Sequence, residues 1–346
     1  MKGVFFIVGP TATGKSELAA EIACRLGAEI VSADAFQVYR GLDLLTAKPD
    51  GPTLAKAPHH LLSAVPLSEE MNVEKFRTAA GEALRDIQAR GKQAIVVGGS
   101  GLYVKVLTHG LSQLPAADPK LRAQLSELSL DELCGQLIHF DPKAVDQVDL
   151  KNRRRVTRAL EICLVTGKPV SEQRFGAGPA ERVLPRTASA ATGGVLPRTT
   201  SAATGGEAEA ALAADVVRGQ PPSTSTAAGV FVFRERAELY ERINRRVEKM
   251  FADGVVDEVR ALPDLGSTAE KALGLREIRA LLAGETSEED CIARIQQATR
   301  HYAKRQLTWF QRQNNFEPLN LSFHGFAEAI ELIAQNARLA FSQRDD

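Results

Sequence analysis

The sequence predicts an α/β fold, a parallel sheet flanked by helices, with a small all-helical insertion domain. Three observations predict it. The run Val4-Phe5-Phe6-Ile7-Val8 is apolar without alternation, as in a strand buried on both faces of a parallel sheet. Two similar runs, at 29–33 and 94–97, are separated from it and from each other by segments of helical periodicity. Residues 115–175 instead carry helical patterns punctuated by Pro115, Pro119 and Pro142, with no buried strand.

The elements follow in order. Gly9-Pro10-Thr11-Ala12-Thr13-Gly14-Lys15-Ser16 joins the first strand to an amphipathic helix over 15–26 and completes G-x-x-x-x-G-K-[ST]. In that setting the glycines let backbone N–H groups turn inward around an anion, and the helix start adds its positive dipole end. Lys15 brings charge to phosphate oxygens, and the Ser16 hydroxyl is placed to hold Mg²⁺. The fold is therefore P-loop NTPase-like, and the motif specifies a polyphosphate or diphosphate without specifying a nucleotide.

The second strand, 29–33, ends at Asp34, and a loop through Gln37-Val38-Tyr39-Arg40-Gly41 leads to Thr46-Ala47-Lys48-Pro49. His59 and His60 are adjacent, so they would point different ways on a regular element; loop contacts are expected of them, not a metal pair. A helix over 72–90 carries Val73, Phe76, Ala80, Leu84 and Ile87 at helical spacing. The third strand, 94–97, runs into Gly98-Gly99-Ser100-Gly101 and a helix from about Leu102. Three loops, 9–16, 34–41 and 98–101, thus emerge at one end of the sheet, where open α/β sheets bind ligands. No acidic residue ends the third strand, which argues against an energy-driven NTPase.

Lys151 to Arg158 holds five cations in eight residues at a helix start, a reasonable phosphate-backbone contact. Residues 177–228 are low in complexity; VLPRTASAATGG at 183–194 recurs as VLPRTTSAATGG at 195–206, and a disordered tether is expected. Strand character returns at 229–233. The helix 237–251 carries Arg242, Arg245, Arg246 and Lys249 opposite an apolar side; a last long helix, about 287–313, sets Arg294, His301, Lys304, Arg305 and Arg312 opposite Ile295, Thr299, Tyr302 and Phe310. These cationic faces serve either solubility or anion binding.

The domain boundaries expected are 1–114 for the first part of the core, 115–176 for the insertion and 177–228 for the tether. The core is then completed over 229–318, and 319–346 form a C-terminal helix and tail. Of 346 residues, Lys+Arg and Asp+Glu each number 43, so a nucleic-acid partner would need a local basic patch. Four cysteines, Cys24, Cys134, Cys163 and Cys291, have no ligand-like spacing and suit a reducing compartment. No apolar run is long enough to span a bilayer, and a cytoplasmic protein with no membrane partner is expected.

Asp34 faces the phosphate loop from the next strand and can either organise Mg²⁺ or take a proton from an acceptor. Ser100 adds a neutral donor and acceptor in the same cleft. Two chemistries suit this set: group transfer from an activated diphosphate, or phosphoryl transfer by a nucleoside or small-molecule kinase using ATP. A non-catalytic RNA-binding protein with a vestigial loop is a third reading.

Six segments in order resemble the tRNA dimethylallyltransferase (tRNA isopentenyltransferase) family. They are the phosphate loop, Asp34 to Gly41 (DAFQVYRG), Thr46-Ala47-Lys48-Pro49, Gly98 to Tyr103 (GGSGLY), Arg158-Ala159-Leu160-Glu161 and Ala303 to Phe310 (AKRQLTWF). The resemblance runs through about residues 3–175 and 229–315. It implies transfer of a dimethylallyl group from dimethylallyl diphosphate to N6 of adenine 37 of tRNA, with Mg²⁺, by a monomer gripping the anticodon stem-loop. It implies Asp34 and Ser100 as catalytic residues, Ser100 standing where the family usually has Thr. The phosphate loop and Arg236 become diphosphate ligands. It further implies tRNA contacts from Asp34, Ala35, Phe36 and Gln37, from Ser100, and from Arg122. Arg154, Arg155, Val156, Thr157 and Arg158 are implied likewise, as are Lys271, Ala272, Leu273, Gly274, Leu275 and Arg276. Arg300, Lys304 and Arg305 are further diphosphate candidates.

Overall fold

The computed structural model describes residues 3–110, 115, 118–173 and 229–342. The expected tether at 177–228 lies outside them, as do 343–346. The chain divides into two compact units, one of Met1–Thr108 with Pro221–Asp346, the other of His109–Gln220.

The first unit is built on six parallel strands: β1 (Val4–Val8), β2 (Glu29–Ser32), β3 (His59–His60), β4 (Ala94–Gly98), β5 (Gly229–Phe233) and β6 (Glu317–Asn320). Their order is β3-β2-β4-β1-β5-β6. Val8 pairs with Gly98 and Ser32 with Val97, so β1, β2 and β4 end at one level and deliver their loops side by side. The chain reverses direction across the sheet between β1 and β4, the switch point where such sheets bind ligands.

The helices of this unit are α1 (Lys15–Leu26), α2 (Gly51–Leu54), α3 (Val73–Ala89) and α4 (Gly101–His109) before the second unit. Alternate residues of β1 serve opposite layers. Phe5 and Ile7 pack with Leu18 and Ile22 of α1 and with Ile330 and Ile333 of the last helix, Phe326–Ser342. Phe6 and Val8 pack with Phe76 and Leu84 of α3 and with Phe310. Full burial of each such side chain contributes about 1.5–3 kcal/mol.

Two strands differ from expectation. His59 and His60 do not sit in a loop: they pair with Ile30 and Val31 as a two-residue edge strand, too short for periodicity to reveal. Glu317–Asn320 forms the other edge, where Pro318 is tolerated because one side needs no ladder. Its Glu-Pro-Leu-Asn sequence carries no strand signal.

The second unit holds α5 (Pro119–Glu127), α6 (Leu130–Phe140), α7 (Ala144–Gln147), α8 (Arg153–Thr166) and α9 (Val170–Gln173). Asp118, Ser129 and Asn152 cap three of these, Ser129 with Glu132 in a capping box. Its core includes Leu133, Leu137, Val156 and Leu160. Asp141, buried, accepts from the Ser171 backbone N–H at 2.7 Å and hydroxyl at 2.8 Å. Beyond it the first unit resumes with α10 (Arg236–Ala252), α11 (Val255–Arg260), α12 (Leu275–Leu282), α13 (Glu288–Phe310) and α14 (Phe326–Ser342).

Candidate functional site

The site begins where β1 stops. Gly9 has φ +152°, and a Cβ there would run into the Val232 carbonyl of β5, so no other residue fits this turn. Gly14, at φ 95°, opens α1 with no side chain capping it. The first N–H groups of a helix lack intrahelical partners, and here they surround the loop. Lys15 Nζ donates to the Pro10 carbonyl at 2.5 Å. Burial pushes the Lys15 ammonium down to about 7, against the pull of Asp34 and with the push of Arg246.

Three arginines are fastened to the loop. Arg234 Nε donates to the Thr13 carbonyl at 3.0 Å. Arg242 Nε donates to the Ala12 carbonyl at 2.8 Å, which helps hold Ala12 at its left-handed φ of 64°. Arg246 donates to the Thr11 hydroxyl at 2.8 Å and the Thr46 carbonyl at 3.3 Å. Burial lowers the Arg246 pKa, with Asp34 opposing. The cationic side of α10 is thus divided. Arg245 and Lys249 are exposed with acidic partners at i−4 and i+4, Arg245 still among the cavity-lining residues, whereas Arg242 and Arg246 hydrogen-bond the phosphate loop.

The facing wall is the loop after β2. The Asp34 carboxylate accepts from the Phe36 N–H at 2.9 Å and the Gln37 N–H at 3.2 Å. One oxygen takes both bonds, which fixes the carboxylate and leaves acceptor capacity on the other. Gln37 Nε2 donates to the Thr46 and Ala47 carbonyls, both at 3.1 Å. That 42–47 stretch is held by Glu258 of α11, which accepts from the N–H groups of Asp43 (2.8 Å), Leu44 (2.8 Å) and Leu45 (2.9 Å).

A cavity of about 630 Å³ lies between these walls. Lys15, Ser16, Asp34, Gln37, Arg242 and Arg246 all line it, so the carboxylate and the phosphate loop open into one space. Its apolar side is made by Leu45, Val247, Met250, Leu273 and Ile295. The arrangement can hold an anion on one side and accept a proton on the other.

Other residues singled out in the sequence stand differently. Ser100 is not among the lining residues; its hydroxyl accepts from the Ala35 N–H at 3.0 Å, and Ser100 interacts with the Tyr302 phenol, which does line the cavity. Arg236 is also outside the lining set, its guanidinium 5.3 Å from the Tyr240 ring centre. Further along α10, Arg242 and Arg246 do line the cavity. Arg300 donates to the Asn244 side-chain oxygen Oδ1 at 2.6 Å, and Lys304 and Arg305 are exposed.

Among the expected tRNA contacts, Val156, Ala272 and Leu275 are buried in cores and present no side chain to a partner. Val156 and Leu275 lie on the core sides of their helices and Ala272 in the turn before α12, and a linear motif cannot separate its core positions from its surface ones. Arg122 and Arg158 both bind the fully buried Glu161 carboxylate, with shortest distances of 3.1 Å and 2.7 Å. Arg154 and Arg155 are exposed, as are Lys271 and Arg276, and these four display charge. Thr157 and Leu273 are partly buried, and Gly274 turns the chain at φ 93°. Arg234 and Glu258 carry no signal in the sequence, and Gln306 only that of the Ala303 to Phe310 segment; all three act over separations of more than 200 positions, which no local pattern reports.

Among the described residues no group of three or more His, Cys, Asp and Glu side chains is placed to hold a metal, and no helix is long and apolar enough to cross a membrane.

The sequence matches the profile of a family described as IPP transferase over residues 37–192 and 199–313. It is 38% identical over 316 residues to tRNA dimethylallyltransferase 1 of Citrifermentans bemidjiense, covering 90% of each chain. It is 39% identical over 310 residues to tRNA dimethylallyltransferase of Akkermansia muciniphila, covering 89% of this chain and 90% of that one. Among solved structures it resembles the full-length tRNA isopentenylpyrophosphate transferase of Bacillus halodurans, with TM-score 0.64, 29% identity and coverage of 100% and 98%. A eukaryotic dimethylallyltransferase acting on tRNA shares the fold, with TM-score 0.70 and 24% identity.

Proposed function

The chain belongs to the IPP transferase family, and on that premise we propose how its residues divide the work. It is a tRNA dimethylallyltransferase that prenylates an adenine of tRNA. The proposal concerns the donor, the atom modified and the groups that act. Dimethylallyl diphosphate sits with its diphosphate on the loop Gly9 to Ser16 and its hydrocarbon toward Met250 and Leu273. The acceptor is N6 of adenine 37, everted from the stacked anticodon loop into the cavity. The exposed Arg154, Arg155, Lys271 and Arg276 serve the phosphate backbone of the same RNA.

The N6 lone pair is shared with the purine ring, so the amine is a poor nucleophile. As N6 bonds to the allylic carbon, the bond from that carbon to the diphosphate oxygen breaks and its electron pair leaves with diphosphate. The N6 proton passes to Asp34, which is held for this by the Phe36 and Gln37 amides. Lys15, Arg246 and the loop amides stabilise the charge growing on the leaving oxygen. Ser100 positions Ala35 next to the base.

Mg²⁺ suits the donor set: Ser16 and Asp34 both line the cavity and offer hard oxygens, and such ions take few protein ligands when phosphates and water supply the rest. Bound there, it would add charge neutralisation to the diphosphate.

The observation that carries this reading is the shared cavity, with Lys15 and Asp34 opening into one space. The kinase and vestigial-loop alternatives are set aside with the family. A cytoplasmic monomer meeting folded tRNA completes the proposal. The test is to incubate the protein with tRNA and either dimethylallyl diphosphate or ATP, then digest and weigh the nucleosides. N6-dimethylallyladenosine at position 37 with the first donor alone is expected. Consumption of ATP without prenylation, or prenylation at another adenine, overturns the reading.

A further inference from the structure

Three side chains of α13 at helical spacing reach the turn after β4, 98–101, which serves here as the acceptor loop because its Ser100 hydroxyl holds the Ala35 N–H next to Asp34. Tyr302 interacts with Ser100, Gln306 meets Gly99, and the Trp309 ring packs so closely on Gly101 that a Cβ there would overlap it. Gln306 does more than pack. Its Oε1 accepts from the Thr11 N–H at 2.9 Å, and its Nε2 donates to the Gly99 carbonyl at 2.8 Å. Thr11 belongs to the phosphate loop and Gly99 precedes Ser100. The amide is buried, at 6% exposure, and lines the cavity. Both bonds are local to the two loops, and neither is part of a sheet ladder or helix.

We propose that Gln306 is a positioning residue, setting the donor loop and the acceptor loop at one fixed spacing. The proposal rests on the division of the site into those two halves given above. The chemistry singles out an amide. Thr11 offers a donor and needs an acceptor; Gly99 offers an acceptor and needs a donor; one carboxamide satisfies both at once. Arginine or lysine would repel the Thr11 N–H, and an alkyl chain would leave both backbone groups buried and unpaired. A shift of about 1 Å between reacting groups is enough to cost about 100-fold in rate.

Substitution by glutamate gives a readout that a strut alone would not. A protonated carboxyl reproduces both bonds, its carbonyl accepting from Thr11 and its O–H donating to Gly99. The ionised form turns an oxygen lone pair on the Gly99 carbonyl and pushes the loops apart. Burial against the Gly99 carbonyl raises the new carboxyl above the free glutamate value of about 4.3, so Gln306→Glu is expected to keep its best turnover at pH 5 and to lose kcat as pH rises, about tenfold or more between pH 5 and pH 8.5 relative to the unsubstituted enzyme. Gln306→Leu is expected to be low at every pH in that range. Near-UV circular dichroism is recorded on each sample.

Gln306→Glu within twofold of the unsubstituted enzyme across the range, while folded, overturns the proposal. So does a loss of activity that coincides with loss of the near-UV signal at the same pH, which would make Gln306 a strut of the fold. Should the unsubstituted enzyme itself fail to transfer the group, the underlying reading fails instead, so the two are told apart.

Discussion

Arg246 and Thr11 meet at 2.8 Å, guanidinium to hydroxyl, and through them α10 is fixed to the phosphate loop. The same arginine reaches the Thr46 carbonyl, so one side chain touches both walls of the cavity. It is partly buried, and Asp34 is the carboxylate acting on both it and the buried Lys15. Two desolvated cations facing one carboxylate leave an excess of positive charge, which a diphosphate would balance. Arg246→Ala is expected to lower kcat/KM for dimethylallyl diphosphate about 100-fold, the scale of losing one preorganised donor. Arg246→Lys should recover part of it, since charge remains but the forked geometry does not. Steady-state kinetics with saturating tRNA measures both.

Asp34 separates two jobs that one substitution can split. Asparagine keeps an oxygen for the Phe36 and Gln37 amides but cannot take a proton. Asp34→Asn is expected to bind donor and tRNA near normally while kcat falls about 10²–10⁴-fold. Asp34→Ala loses the turn as well and should weaken tRNA binding in a filter or mobility assay. Equal turnover by Asp34→Asn and the unsubstituted enzyme would remove Asp34 from the chemistry.

Glu258 holds three consecutive N–H groups, those of Asp43, Leu44 and Leu45. Hydrogen bonds to a charged acceptor are each worth about 1.5–3 kcal/mol, and together they fix the stretch that carries Leu45, Thr46 and Ala47 into the cavity wall. Glu258→Ala is expected to destabilise the first unit by about 2–4 kcal/mol in urea titration and to raise KM for tRNA. Glu258→Gln should retain part of the effect through one amide oxygen.

How far the sequence reached is clearest at this site. The phosphate loop, β1 and α1 were legible because a strand, a glycine pattern and a helix adjoin within 26 residues. Asp34 was legible because a strand ends there. The sense of the α10 face was not: Arg242, Arg245, Arg246 and Lys249 read as one cationic stripe, and only the fold turns two of them onto Ala12 and Thr11. The edge strands were missed because two residues at β3 and a proline at β6 carry no period. Val156 and Leu275 stand among residues that the resemblance assigns to tRNA, yet each lies in a core. A motif marks a segment, while burial is decided side chain by side chain against elements far along the chain.

The last prediction concerns acid stability and lies away from the cavity. Glu29 begins β2 at 3% exposure, with Arg90 on both carboxylate oxygens and His60 Nε2 at 2.7 Å. The Arg90 hydrogen bonds, with burial opposing, bring its carboxyl from 4.5 down to about 2. A depressed carboxyl stabilises the fold above its unfolded value, and that contribution drains away as pH falls from about 4.5 toward about 2. In that window the unfolded chain binds the proton more readily, so stability must drop with acid. Glu29→Gln removes the titrating group: urea midpoints of the variant should lie below those of the unsubstituted protein at pH 6 and converge with them toward pH 3. Parallel midpoints across the range would show that Glu29 titrates alike in the folded and unfolded chains.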